Sequence, residues 1–167
     1  MTRKFPGRVF CSERTANLVA GIIKLPRSQI YPLKMETPTM VEGVECTLID
    51  ANHCPGAAII VFKLPNGKVH LHTGDFRATE AMARHPLLAR HKIDSLYLDT
   101  TYCDRQYVFP PQEQVVQQVV EATKRMVKRN KETLVFVGTY SLGKERIFIA
   151  LAKALGCKAC VLSLIHI

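Results

Sequence analysis

From Asp50 to Asp75 the chain reads DANHCPGAAIIVFKLPNGKVHLHTGD, and few backbone paths satisfy that stretch. Ala57 to Leu64 is an apolar run broken by one lysine, which predicts a buried strand. Asn66-Gly67 supplies the positive φ angles of a two-residue hairpin turn, and Lys68 to His72 returns as the partner strand. Upstream, Val44, Cys46 and Leu48 alternate with Glu45, Thr47 and Ile49, the period of a further strand. His53 stands on a Cys-Pro-Gly turn after one strand, and Asp75 follows a Thr-Gly turn after another. The residues between them are about what two strands and a tight turn need to bring their ends together, so one end of the sheet gains an imidazole and a carboxylate.

The flanks are less constrained. Ser12 is placed to cap a helix over roughly Ala16 to Lys24, with Leu18, Val19, Ile22 and Ile23 on its apolar face. Pro26, Pro32 and Pro38 are expected to break regular structure. After Asp75 the pattern changes. Ala81 to Arg90 reads as helix and Ile93 to Leu98 as a strand. Pro110 and Pro111 open a long helix to about Lys128, with Val115, Val116, Val119, Val120 and Val127 facing inward. Leu134 to Val137 reads as a short buried strand and Lys144 to Leu155 as a helix. The early part is thus β-rich, and the later alternation of strand and helix predicts α/β layering. No internal repeat or low-complexity linker appears.

Composition narrows the partners. The 167 residues suit one domain with a sizeable core, and no run of eighteen apolar residues predicts a membrane span. The basic N-terminus (Arg3, Lys4, Arg8, Arg14) lacks the serine-rich character of a transit peptide. A net charge of +9 favours a polyanionic partner, although a basic enzyme of another kind would carry it too. Six cysteines show no disulfide-framework spacing, which fits a reducing compartment. Cys157 and Cys160 form a CxxC without the second pair that a tetrahedral zinc site needs, and read as incidental.

Several residues have the chemistry of a site. His53 is a good zinc ligand by type, on a turn that fixes its direction; a lone histidine is as readily structural. Asp75 is a carboxylate able to bridge two metal ions, or a simple turn residue. Asp99 follows a strand at the edge where open α/β sheets bind ligands, or caps the next segment. Thr100, Thr101 and Tyr102 can donate hydrogen bonds to a phosphate. Gly138-Thr-Tyr-Ser-Leu-Gly143-Lys144 matches the GxxxxGK of a phosphate-binding loop, with Ser141 and Lys144 as candidate contacts. Glu145 stands where Ser or Thr should hold Mg²⁺, so a nucleotide triphosphatase is disfavoured, while a single phosphate at the helix start stays open. His70 and His72 share one strand face as a metal pair or as packing residues. His85 and His91 are assigned to solvent. Lys124, Arg125, Lys128, Arg129 and Lys131 read as a solvated face or a phosphate contact.

The phrases YPL at Tyr31, DANHCPGA at Asp50, LPNG at Leu64, LHTGDFRA at Leu71, LYLDTTYC at Leu96 and GTYSLGKE at Gly138 together resemble the DNA cross-link repair nucleases. These are the DNA-acting branch of the β-CASP metallo-β-lactamase fold. The resemblance runs over most of residues 8 to 156. It implies an α/β fold, a partial metallo-β-lactamase αββα sandwich over 1–98 followed by part of a β-CASP α/β region over 99–161. His53 then corresponds to the third metallo-β-lactamase motif, a zinc ligand. Asp75 corresponds to the fourth, a bridging carboxylate, and Asp99 to the acidic residue of the first β-CASP motif. Asp75 and Asp99 would be the catalytic pair. The implied reaction is metal-hydroxide attack on a phosphodiester at a 5′-phosphorylated DNA end, in the nucleus, with one or two zinc ions as cofactor.

The departures carry equal weight. The family's HxHxDH motif would precede Phe10-Cys11-Ser12, and every histidine lies at 53 or later. The region that would follow the GTYSLGKE helix and carry a late histidine is expected to be missing as well. The last six residues, Leu162-Ser-Leu-Ile-His-Ile, resemble a translated sequencing adapter and are expected to be a non-native tail. The expectation is therefore an internal fragment that binds metal weakly, has no appreciable nuclease activity of its own and leaves apolar strand faces and edges uncovered. The competing readings are a non-catalytic nucleic-acid-binding module and a phosphate-loop nucleotide binder.

Overall fold

A computed structural model describes residues 4–139 and 142–160. The chain divides into two compact units, one up to Cys103 and one from Asp104. In the first, β1 (Val9–Ser12) leads into α1 (Glu13–Leu18), a π-helical turn (Val19–Ile23) and β2 (Ile30–Leu33). There follow β3 (Thr39–Val41), β4 (Val44–Asp50), β5 (Ala58–Lys63), β6 (Val69–His72), α2 (Glu80–Ala83), α3 (Pro86–Ala89) and β7 (Ser95–Tyr97). A five-stranded sheet runs β3-β4-β5-β6-β7, antiparallel except for the parallel β6–β7 pair, and β1 and β2 form a separate parallel pair.

The strongest sequence signal folds as its period requires. In β4, Cys46 and Leu48 point into one apolar cluster with Leu33, Phe10 and Ile60. Ile49 points to the other face, into a cluster with Ile59, Val61 and Val69 that Met82, Leu87 and Leu88 of the α2–α3 segment cover. Both faces of this strand are buried, so Thr47 is buried too. Fully burying a side chain such as Ile49 stabilises by about 1.5–3 kcal/mol. The expectation of uncovered strand faces is therefore overturned at the centre of the sheet. It holds at the β7 edge, where Leu96 and Tyr97 are 54% and 55% exposed.

Several local expectations are corrected. The β5–β6 turn is a three-residue connection: Gly67 donates to the Leu64 carbonyl and Leu64 to that of Lys68, both at 2.9 Å. Gly67 alone takes a positive φ (+82°), while Asn66 accepts the Lys68 amide through its side chain. This is a type I turn closed by a glycine bulge rather than a two-residue turn. Pro32 lies inside β2, paired with Cys11, which is tolerable because a two-stranded sheet consists of edges alone. The first helix starts directly after the Ser12 cap, and its π turn shifts the phase, leaving Ile22 exposed and Leu25 buried. The helix expected over Ala81 to Arg90 is two short ones, because Pro86 holds His85 extended (ψ 125°). His85 is no solvent residue; its Nδ1 accepts the Leu87 amide as the cap of α3.

The second unit holds α4 (Gln112–Arg129) and α5 (Glu145–Leu155), which pack on each other and are tied by Arg146 to Gln112 at 3.0 Å. Val115, Val116, Val119, Val120 and Val127 are half-buried, with Lys124, Arg125, Lys128 and Arg129 exposed. Leu134 to Val137 is not a strand; Leu134 and Phe136 are 75% and 84% exposed. Among the described residues this unit has no strand to offer a ladder, so apolar composition alone does not make one. The expected tail at 162–167 lies outside the described residues.

Candidate active site

The loop carrying His53 is built from the end of β4. Asp50 Oδ1 accepts the Asn52 amide at 2.6 Å, Asn52 takes the left-handed region (φ 52°), and the Ala57 amide closes on the Cys54 carbonyl at 3.0 Å. The Cys-Pro-Gly turn is then clamped from outside the sheet. The Gly56 carbonyl accepts both the Ser12 hydroxyl at 2.8 Å and the Thr15 hydroxyl at 3.0 Å, at the start of α1. Gly56 has φ +89°, and a Cβ there would lie 2.6 Å from Thr15 Oγ1. Glycine is thus required twice, by conformation and by contact. His53 itself is exposed.

Asp75 is on the loop leaving β6. Arg77 donates its amide to the Ala51 carbonyl at 2.9 Å, and Asn52 Nδ2 reaches the Arg77 carbonyl at 3.4 Å. Phe76 packs into the core beside Ala51 and Ile49. The Asp75 loop is therefore stitched to the His53 loop through its own backbone, and the Asp75 side chain is exposed.

Asp99 follows β7, whose parallel pairing with β6 puts their C-terminal ends side by side. Its Oδ1 accepts the Thr101 amide at 3.0 Å and the Thr101 hydroxyl at 2.6 Å, so the capping role considered from sequence is present. The Thr101 hydroxyl first, then the Thr101 amide, hold the Asp99 carboxyl below the usual carboxylate range. Partial burial pushes the other way, and the Phe76 amide and the charge of His53 add to the lowering. The structure therefore brings His53, the residue after Asp75, and Asp99 into one neighbourhood at one end of the sheet.

That neighbourhood does not make a metal centre by itself. Among the described residues no group of three or more His, Cys, Asp and Glu is arranged to hold a metal ion, whereas zinc sites use three or four protein ligands. His53, Asp75 and Asp99 do not form such a group. His70 and His72 take the packing alternative against Tyr97, with ring centroids 6.3 and 5.6 Å away. Two shallow concavities, one lined by Glu13, Asn17 and Arg27 and one by Glu45, Lys63 and Arg90, do not include the three residues.

Of the phosphate candidates, Thr100 is exposed beside Asp99. Lys144 lies in the second unit, in the left-handed region (φ 66°) just before α5. The Gly143 amide there donates to the Glu145 carboxylate at 2.6 Å, so a side-chain anion already occupies the helix start. Ser141 lies outside the described residues. Three contributors escaped sequence reading: Ser12 was visible as a helix cap but not as a clamp, and Thr15 and Thr73 gave no signal beyond a nearby turn. Among the described residues no helix is long and apolar enough to cross a membrane.

His53 and the loops that carry Asp75 and Asp99 thus gather at one end of the sheet. Over most of its length the chain is similar to part of several DNA cross-link repair proteins. It is 48% identical over 159 residues to the DNA cross-link repair 1A protein of Gallus gallus, covering 95% of this chain and 16% of that protein. It is 38% identical over 149 residues to the 5′ exonuclease Apollo of Gallus gallus, covering 89% of this chain and 32% of that protein. The chain spans roughly a sixth to a third of the length of these curated relatives. No family profile matches it. A crystal structure of a protein of unknown function from Enterococcus faecalis V583 superposes with a TM-score of 0.58 at 14% identity, over 89% of this chain and 39% of that one. That likeness shows a shared fold alone.

Proposed function

We propose that this chain is a segment of a DNA nuclease that hydrolyses phosphodiesters from a 5′-phosphorylated end during interstrand cross-link repair in the nucleus. On this reading residues 1–98 are part of a metallo-β-lactamase sandwich and residues 99–161 are part of a β-CASP region. The observation that carries it is the meeting of the His53, Asp75 and Asp99 loops at one end of one sheet. Zinc suits the donor types of His53 and Asp75. These two form an incomplete ligand set, which other parts of a larger protein would have to complete.

Each residue has a part that needs no further ligand to state. The Gly56 clamp fixes the turn that aims His53. Asp75 keeps an exposed carboxylate on a loop anchored by Phe76. Asp99 stays ionised and ties the Asp75 loop to the end of β7. Positioning of this kind is worth orders of magnitude in rate when a phosphate is held between such groups. Contacts from Thr100, Ser141 and Lys144 to DNA phosphate belong to the same proposal, with Glu145 opposing the last.

In a full-length protein carrying this segment, His53→Ala and Asp75→Ala are expected to lower nuclease activity by more than about a hundredfold. Wild-type rates in both variants refute the assignment. The net charge of +9 and the exposed basic face of α4 favour one other reading, a DNA-binding module without catalysis. Salt-sensitive DNA binding with no cleavage by the unmodified full-length protein would select it.

A further inference from the structure

We infer that Thr73 is a positioning residue that locks the Asp75 and Asp99 loops in register, an inference that rests on the proposed nuclease site. Thr73 is the first residue past β6 and is 3% exposed. Its amide donates to the Tyr97 carbonyl at 2.9 Å, which extends the β6–β7 ladder by one residue. Its hydroxyl then does two things. It donates to the Gly74 carbonyl at 2.8 Å and accepts the Asp99 amide at 2.9 Å. A buried hydroxyl thus uses both its donor and its acceptor on the two loops that carry the candidate carboxylates.

The consequence is directional. Beyond Tyr97 the main chain leaves the ladder, and the Thr73 hydroxyl receives the first amide of the Asp99 turn. The same hydroxyl donates to the Gly74 carbonyl, so one side chain links the turn that leads into Asp75 to the turn that begins at Asp99. Removing the hydroxyl leaves the Asp99 amide without this acceptor and unties the two turns from each other. Serine keeps the hydroxyl; valine keeps the shape and loses both bonds.

The test compares Thr73→Val with Thr73→Ser. By amide hydrogen exchange on the 167-residue chain, Thr73→Val is expected to speed exchange at Asp99 by about five- to tenfold, with the central β4–β5 amides changed less than about twofold. Thr73→Ser should return Asp99 exchange to within about twofold of wild type. In a full-length protein carrying this segment, Thr73→Val should lower kcat on 5′-phosphorylated DNA by about tenfold or more with KM nearly unchanged, and Thr73→Ser should restore it. Unaltered Asp99 exchange in Thr73→Val, or a uniform loss of protection across β4 and β5, overturns the inference. So does a serine variant as impaired as the valine. If the wild-type full-length protein cleaves no DNA, the nuclease reading fails, and the exchange comparison still decides whether Thr73 holds Asp99.

Discussion

Gly56→Ala is the most informative single change, because two separable costs meet at one carbonyl. A residue with a Cβ at φ +89° pays about 1–2 kcal/mol for backbone strain. The added methyl would also lie 2.6 Å from Thr15 Oγ1, 3.0 Å from the Thr15 amide and 3.2 Å from Ser12 Oγ. Relieving that overlap means moving the turn off α1 and stretching the two hydroxyl bonds to the Gly56 carbonyl, each worth about 0.5–1.5 kcal/mol. The expected total is about 2–5 kcal/mol. Gly43 supplies the control, since it has φ +85° with nothing within 4 Å of an added Cβ. Gly43→Ala should therefore cost the strain alone, about 1–2 kcal/mol. Urea unfolding followed by circular dichroism reads both, and a Ser12→Ala, Thr15→Ala background should shrink the excess cost at Gly56 by removing the two side-chain oxygens it strikes. Equal losses for Gly43→Ala and Gly56→Ala, or an excess unchanged in that background, would refute the clamp.

Two further outcomes follow from the site. Because the Asp99 carboxyl is held low in the folded chain, its stabilising contribution is present above the ordinary carboxylate pKa and is lost as pH falls through the lowered value. Thr101→Val should move the Asp99 side-chain carbonyl-carbon titration upward by NMR, and a midpoint that stays put would show that the hydroxyl is not the main cause. For the second unit, the Glu145 carboxylate on the Gly143 amide predicts no measurable ATP binding by calorimetry; ATP affinity abolished by Lys144→Ala would revive the phosphate-loop reading.

What the sequence made legible is what local rules govern. The β4–β5–β6 strands announced themselves through period and turn residues, and the two ends of that stretch did come to one end of a sheet. The Asn66-Gly67 pair marks where the turn lies but not its type, because Pro65 fits the first turn position of a three-residue connection that a dipeptide rule does not see. The split at Pro86 was available from the proline and was outweighed by apolar periodicity on either side. Leu134 to Val137 failed for a different reason: strand formation depends on a partner, which no composition of the strand itself supplies. The clamps at Gly56 and Asp99 were invisible because Ser12, Thr15 and Thr73 are common residues whose meaning comes from contacts far along the chain. Family phrases name His53, Asp75 and Asp99 as candidates, and the structure sets their loops at one end of the sheet.

The mixed pairing of the main sheet also has a kinetic side. Strands β4, β5 and β6 close through residues 51–57 and 64–68, whereas β7 reaches β6 across residues 73–94. Short closures cost less entropy and form sooner, so the His53 and Asp75 loops should find each other while Asp99 is still remote. The late step is the parallel β6–β7 zipper, begun by Asp94, whose amide and carboxylate both engage Val69 at 2.8 Å. A mutation at Asp94 is then felt chiefly in how fast the third carboxyl-bearing loop arrives, and a nascent chain stalled before it would display two of the three groups on an unfinished edge.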